Sequence, residues 1–428
     1  MSIRLGCIAD DYTGASDLAN MLRRNGLRTV QTIGIPKPSL ALPEVDAVVV
    51  SLKSRSIAAD RAVSLSLAAE EWLRGRGAGH VLFKICSTFD STDDGNIGPV
   101  IDALRARAGC GPVLVNPAFP ETGRSVFQGH LFVNGVPLHE SPLKDHPLNP
   151  MRDSNLVRVL QRQSRAPVIL IPFAVVEQDA AAVRAALAAA PEAGAAIADA
   201  VAARHLDVLG EAALADPVSA GASGLGAGLA RALVIRDGLT AAVTPSDEPA
   251  HPAPAGRAAI LAGSCSAATR QQIAAAETAG IACHRLDVRR LLEGEAEQVV
   301  AAALHWALAV LETGPVLIAS SDTPEAVLAM QRTHGGAAAG HAVEQALAAI
   351  AEGLIAASVD RLVVAGGETS GAVVDRLGLE AFLVGDEIAP GVPVLRTAGA
   401  RHPGLAMALK SGNFGGKDFF TRALSMLG

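Results

Sequence analysis

Asp10 and Asp11 stand side by side after the apolar run Leu5–Ala9, and Tyr12, Thr13 and Gly14 follow. Open α/β sheets bind ligands beyond the carboxyl ends of their strands, so two acids, a hydroxyl and a glycine there make a polar ligand site. A carboxylate in such a place takes the proton of a substrate hydroxyl, or holds hydroxyls by accepting their hydrogen bonds. Capping of the next helix by Asp11 or Thr13 is the structural alternative. A second polar loop, residues 84–96, carries Lys84, Cys86, Ser87, Thr88, Asp90, Ser91, Thr92, Asp93 and Asp94. It holds more polar side chains than capping needs, and it suits a polyhydroxylated ligand. Lys53-Ser54-Arg55-Ser56 offers cations for a carboxylate, and arginine is the better bidentate partner. His130, after Gly129, is a candidate acid, base or hydrogen-bond donor, against a structural histidine as its alternative. No His/Cys/Asp cluster shows metal-ligand spacing.

Three glycine-containing turns dominate the second half: Gly263-Ser264-Cys265-Ser266, Gly366-Gly367-Glu368-Thr369-Ser370-Gly371 and Ser411-Gly412-Asn413-Phe414-Gly415-Gly416. The first two follow a strand and open a helix, and the third precedes the last helix. Glycine lets backbone N–H groups approach an anion, and the helix N-terminus adds partial positive charge. Neither a Walker motif nor a spaced G-x-G-x-x-G is present. Tight turns alone would explain any one of the three; together they predict a nucleotide phosphate site.

The elements that position these residues alternate. Expected strands are Leu5–Ala9, Thr29–Ile33, Ala47–Ser51, Val81–Ile85, Val113–Val115, Val168–Ile171 and Ala195–Ile197. Expected helices lie at 14–25, 58–74, 97–108, 153–163 and 177–190. Unalternated Val/Ile/Leu runs are strands buried on both faces, and their alternation with helices predicts mostly parallel sheets. Asn134-Gly135, within 127–138, is a hairpin signal, read as a lid, a dimer contact or an edge excursion. The Gly-rich stretch Gly221–Gly228 reads as a close-packed helix start. Four prolines between Thr244 and Gly256 exclude a helix or central strand and mark a boundary. The alternation then restarts, with strands at 259–262, 283–286, 316–319 and 362–365 and helices at 267–279, 295–311 and 339–357. The expectation is two α/β domains, residues 1–243 and 257–428, joined by a stiff linker at 244–256.

Composition agrees. Of 428 residues, 50% are hydrophobic, which excludes a disordered chain. The net charge of −7 and the 3% aromatic content argue against nucleic acid and against a basic membrane anchor. Five scattered cysteines, without a C-x-x-C pair, fit a reducing compartment. With no signal-peptide pattern or long apolar run, the expectation is a soluble cytoplasmic protein.

The start Ile8-Ala9-Asp10-Asp11-Tyr12-Thr13-Gly14-Ala15, the Gly366–Gly371 turn and the closing Lys410-Ser411-Gly412-Asn413-Phe414-Gly415 resemble the four-carbon acid sugar kinase family. The matches span essentially the whole chain in the right order. The resemblance implies an N-terminal sugar-acid-binding domain, a C-terminal ATP-binding domain and a reaction in the cleft between them. It implies phosphorylation of the terminal hydroxyl of a four-carbon sugar acid by ATP with Mg²⁺. Asp94 stands where many members carry arginine. Together with Cys86–Phe89, Gly129–Gly135 and Asp153–Leu156 this resembles the branch acting on 3-oxo-tetronate, with D-threonate or D-erythronate as the alternative acceptor. A non-catalytic sugar-acid sensor is the alternative of another class. On this reading Asp11 is the candidate base, with Asp10 second or a Mg²⁺ ligand. Arg55 and Lys84 serve the substrate carboxylate or the transferring phosphoryl. Thr13, Asp90, Ser91, Thr92 and His130 complete the sugar-acid site. Ser264, Gly366, Gly367, Glu368, Thr369 and Gly412 fall where the family holds ATP. A homodimer through the hairpin is a further expectation.

Overall fold

The computed structural model describes residues 3–145, 149–239, 256–320 and 336–428. The linker expected at 244–256 lies outside these residues except for Gly256, as do His146–Leu148 of the 145–155 segment. The chain divides into two units, residues 1–244 and 245–428.

In the first unit, β1 (Leu5–Ala9), β2 (Thr29–Ile33), β3 (Ala47–Ser51), β4 (His80–Lys84) and β5 (Val113–Asn116) alternate with α1 (Tyr12–Arg24), α2 (Ala59–Gly75) and α3 (Ile97–Ala108). After the excursion β6 (Arg124–Phe127), β7 (His130–Val133) and β8 (Val136–Pro137) come α4 (Leu156–Gln161), β9 (Val168–Ile171), α5 (Phe173–Val176), α6 (Ala180–Ala188) and β10 (Ala195–Ala198). The unit closes with α7 (Ala203–Ala213), β11 (Val218–Gly221) and α8 (Ser223–Asp237). The strand order is β2-β3-β1-β4-β11-β5-β10-β9, and the pairings are parallel. β1, β3 and β4 are buried along their whole length, as unalternated apolar runs require. Ala9 is in register with Ser51 on one side and Lys84 on the other, so three adjacent strands deliver their polar loops to one edge.

The excursion is a separate antiparallel sheet, β6-β7-β8. Its second turn is the expected Asn134-Gly135, both at positive φ; Gln128-Gly129 makes an equivalent first turn. The Gly-rich stretch opens α8 one residue after Ala222. A Cβ on Gly228 would lie 2.0 Å from the Leu206 carbonyl oxygen, so α7 and α8 touch through backbone there.

Burial at the sheet also fixes one titration. His80 opens β4 with Nδ1 on the Asp216 carbonyl (2.7 Å) and Nε2 on the Ser219 hydroxyl (2.8 Å). Burial pulls its imidazole down to about 4, with the Arg74 and Arg236 charges adding to this. The unfolded chain therefore binds a proton that the folded one refuses between about pH 4 and 6.5, so stability rises with pH across that window. The expected loss on acidification through the window is roughly 3 kcal/mol. Urea midpoints at about pH 7 and pH 5 should fall further for wild type than for His80→Gln; parallel falls would contradict a buried neutral imidazole.

In the second unit, β12 (Arg257–Ala262), α9 (Ala267–Thr278), β13 (Ala282–Arg285), α10 (Val288–Leu292), α11 (Ala296–Val310) and β14 (Val316–Ala319) are followed by α12 (Gly336–Ala356). Then come β15 (Val359–Ala365), α13 (Gly367–Leu377), β16 (Ala381–Ala389), β17 (Val392–Ala398), β18 (Ala406–Lys410) and α14 (Phe419–Leu427). The order is β13-β14-β12-β15-β18-β17-β16, parallel from β13 to β18 and antiparallel across β18-β17-β16. That antiparallel edge was not among the expected elements. Ala262, Ala365 and Lys410 align across β12, β15 and β18, so the three glycine-containing turns leave the sheet side by side. No helix among the described residues is long and apolar enough to cross a membrane.

Candidate active site

Asp11 caps α1. Its Oδ2 accepts from the Gly14 N–H (3.0 Å) and the Thr13 hydroxyl (2.8 Å), so the capping alternative is real. Capping does not exhaust it. Arg55 spans both acids: Nε and Nη2 hold Asp10 at 2.9 and 2.8 Å, and Nη2 also reaches Asp11 Oδ1 at 2.5 Å. Asp90 lies 4.0 Å from the same guanidinium. Asn96 braces the Arg55 loop by donating to the carbonyls of Ser54 (2.5 Å) and Arg55 (3.1 Å). Lys84, buried at the end of β4, donates to the Ile85 carbonyl at 2.9 Å. A Cβ on Gly14 would come 2.2 Å from Asp11 Oδ1 and 3.0 Å from the Lys84 ammonium, so a side chain there would collide with the carboxylate and crowd the lysine.

Electrostatics separate the two acids. Burial opposes the charge of Asp11, yet Arg55, Lys84, the Gly14 amide and the Thr13 hydroxyl hold its carboxyl down at about 2. For Asp10 burial wins over Arg55, and the carboxyl is raised. Asp11 is thus the fixed anion of the pair. The Cys86 thiol, 3.0 Å from Thr88, is pushed up to about 11 by burial and Asp90. It is therefore no nucleophile at neutral pH.

The structure brings Asp10, Asp11, Thr13, Arg55, Lys84 and Asp90 together. Ser91, Thr92 and His130 line a neighbouring cavity of about 700 Å³ with Met151, Arg152 and Asp153. There Gln163 donates to the Ser91 hydroxyl (2.9 Å) and the Thr92 carbonyl (2.6 Å), and His130 Nδ1 hydrogen-bonds Ser154 (2.9 Å). The brace residues Asn96 and Gln163 were not singled out from the sequence. Their role depends on contacts that span 41 to 72 positions, which no local pattern displays.

In the second unit Ser264, Gly366, Gly367, Glu368 and Thr369 line a cavity of about 280 Å³ together with Val288, Ser320, Val343 and Glu344. Gly366 has φ +130°, and a Cβ on it would meet Thr369 Oγ1 at 2.9 Å and the Ser264 nitrogen at 3.3 Å. A Cβ on Gly412 would lie 2.3 Å from Ser264 Oγ, so the three turns touch one another. The amides of Gly367, Glu368 and Thr369 open α13 and have no partner within the helix. Such a terminus binds phosphate. Among the described residues no cluster of three or more His, Cys, Asp or Glu makes a preformed metal cage.

Comparisons with known proteins agree with this division. Residues 5–229 match the model of a sugar-binding N-terminal domain, and residues 259–420 that of a nucleotide-binding C-terminal domain. A 3-oxo-tetronate kinase of Methylobacterium radiotolerans is 66% identical over all of both chains. One of Burkholderia multivorans is 51% identical over 99% of this chain and 97% of its own. A solved Salmonella typhimurium structure is 41% identical over 98% of both chains with a TM-score of 0.84. A Haemophilus influenzae structure is 39% identical over 99% of this chain and all of its own, with a TM-score of 0.77. With both halves matched in order and relatives this similar along the full length, the chain belongs to the four-carbon acid sugar kinase family.

Proposed function

We propose that the chain transfers the γ-phosphoryl group of ATP to the C4 hydroxyl of 3-oxo-tetronate. The observation that carries this reading is the pairing of a charged polyol site on one sheet edge with three abutting main-chain turns on another. The C4 oxygen attacks the γ-phosphorus, the bond to the β-phosphate oxygen breaks, ADP leaves, and the hydroxyl proton is released. Transfer of this kind passes through a loose transition state, so orientation and charge stabilisation matter more than a strong base. Asp11, ionised at any working pH, accepts the hydrogen bond of the C4 hydroxyl and aims a lone pair at phosphorus. Arg55 holds Asp10 and Asp11 in place and, with Lys84, offsets charge gathering on the transferring oxygens. Thr13 holds Asp11, while Asp90, Ser91, Thr92 and His130 accept from and donate to the C2 hydroxyl, keto oxygen and carboxylate.

ATP phosphates lie against Ser264 and Gly366–Thr369, with the Gly412 turn abutting Ser264, and the apolar Val288, Ala339 and Val343 suit the base. Mg²⁺, which neutralises polyphosphate charge, needs only one or two protein carboxylates, and Glu344 and Glu368 on this cavity would supply them. Glu368 in the first turn of a phosphate-facing helix is otherwise hard to reconcile with a polyanion. A cytoplasmic location, where ATP is at hand, is part of this reading.

ADP release should be measured across keto and hydroxy four-carbon acids. The expected result is the highest kcat/KM with 3-oxo-tetronate. A higher value with D-threonate or D-erythronate would move the keto preference elsewhere, and no ADP with any acid would favour a sensor.

A further inference from the structure

Lys410, the last residue of β18, has no place in the mechanism above. It is fully buried and pairs with no carboxylate among the described residues. Its ammonium donates to Thr269 Oγ1 and to the Gly412 carbonyl, both at 3.0 Å, and lies 5.8 Å from the Phe419 ring centroid. The same carbonyl accepts from Ser266 Oγ (2.6 Å) and Thr269 Oγ1 (2.9 Å). One hydroxyl serves both contacts of Thr269, accepting from the lysine while donating its proton to Gly412. Gln272, one turn on in α9, fixes the rest of the loop through the carbonyls of Phe414, Gly415 and Gly416.

Three donors drawing one carbonyl inward have a consequence outward. A trans peptide points its C=O and the following N–H to opposite sides, and no peptide here is cis. With the Gly412 oxygen turned to Lys410, the Asn413 N–H faces away from it, toward the open side of the turn. A buried ammonium without counter-charge is unfavourable in the free protein, and a bound polyanion relieves it.

We propose that Lys410 is a positioning residue for the nucleotide, which clamps Gly412 from behind, aims the Asn413 amide at phosphate, and takes its counter-charge from ATP. This rests on the nucleotide reading of the three turns. The groups packed on the ammonium are Thr269 from α9, Phe419 from α14 and the Gly412 carbonyl; none is titratable, and burial alone pulls the lysine down to about 7. At about pH 8 it is largely neutral in the free enzyme, so phosphate binding draws a proton onto it.

Calorimetry of the full chain with ATP, in two buffers of different ionisation enthalpy near pH 8, reads both affinity and proton uptake. Wild type should bind with net uptake. Lys410→Met should bind roughly tenfold or more weakly without that uptake, with an unlowered Tm, because Met replaces a buried amine that has no counter-charge with an apolar chain of similar length, and an unchanged KM for 3-oxo-tetronate. Thr269→Val should weaken ATP while keeping the uptake. Wild-type affinity and uptake in Lys410→Met would overturn the proposal; should that variant not fold, undiminished ATP affinity in Thr269→Val would do so. Failure of wild type itself to bind ATP would instead remove the nucleotide reading, and Lys410 with it.

Discussion

Asp11→Asn should lower kcat by about a hundredfold or more, the usual worth of a well-placed acid–base or hydrogen-bonding carboxylate. The substitution is chosen for what it leaves intact. Asparagine also caps helices, so the contacts with Gly14 and Thr13 survive through its side-chain oxygen. The bidentate grip of Arg55 on Asp10 survives as well. What disappears is the anion assigned to the acceptor hydroxyl, together with the Arg55 Nη2 contact to Oδ1, whose place an amide N–H takes. Its carboxyl sits at about 2, so no acidic limb belonging to Asp11 should enter the wild-type kcat profile at ordinary assay pH. A variant with near-normal turnover would remove Asp11 from the role, and Asp10, whose carboxyl burial raises, would take its place as the candidate.

Gly366→Val should raise the KM for ATP by roughly a hundredfold, equivalent to about 2.7 kcal/mol, and leave the sugar-acid KM within a few-fold. Two effects add. At φ +130° a β-branched residue is strained, and its Cβ would press on Thr369 Oγ1 and the Ser264 nitrogen. The added side chain would also hold phosphate off the first amides of α13. A circular-dichroism spectrum and Tm close to wild type would show that the fold survives. Equal rises in both KM values would contradict the assignment of this turn to the nucleotide.

Much of this was legible in the chain because the chemistry-bearing residues are local. Asp10-Asp11, Arg55 and Lys84 each follow an unalternated apolar run, and a strand buried on both faces can only deliver such a run's polar end to the sheet edge. The glycine-containing turns were readable for the same reason. Part of what escaped was non-local. β11 (Val-Ser-Ala-Gly) has only one β-branched residue, yet it is inserted between β4 and β5 from over a hundred positions away. The antiparallel β16–β17 pair turns at Pro390-Gly391, a local signal that the parallel rhythm around it masks. The 153–163 helix is shorter than expected, Leu156–Gln161, because Asn155 rather than Asp153 caps it. The helix expected at 177–190 is α6 alone, Ala180–Ala188, started late by the Asp179 cap, and α5 (Phe173–Val176) is a separate short turn before it. Val288, Ser320, Val343 and Glu344 reach the nucleotide cavity only through the tertiary fold, and no motif marks them.

The account stands on one half of the chain gripping a triphosphate while the other offers an alcohol to it. Phosphorus NMR of a reaction with ATP, Mg²⁺ and 3-oxo-tetronate reads that directly. The expected spectrum shows ADP and, in equal amount, a phosphomonoester coupled to the C4 methylene protons. Inorganic phosphate with no ester, or an ester at another carbon, would contradict it.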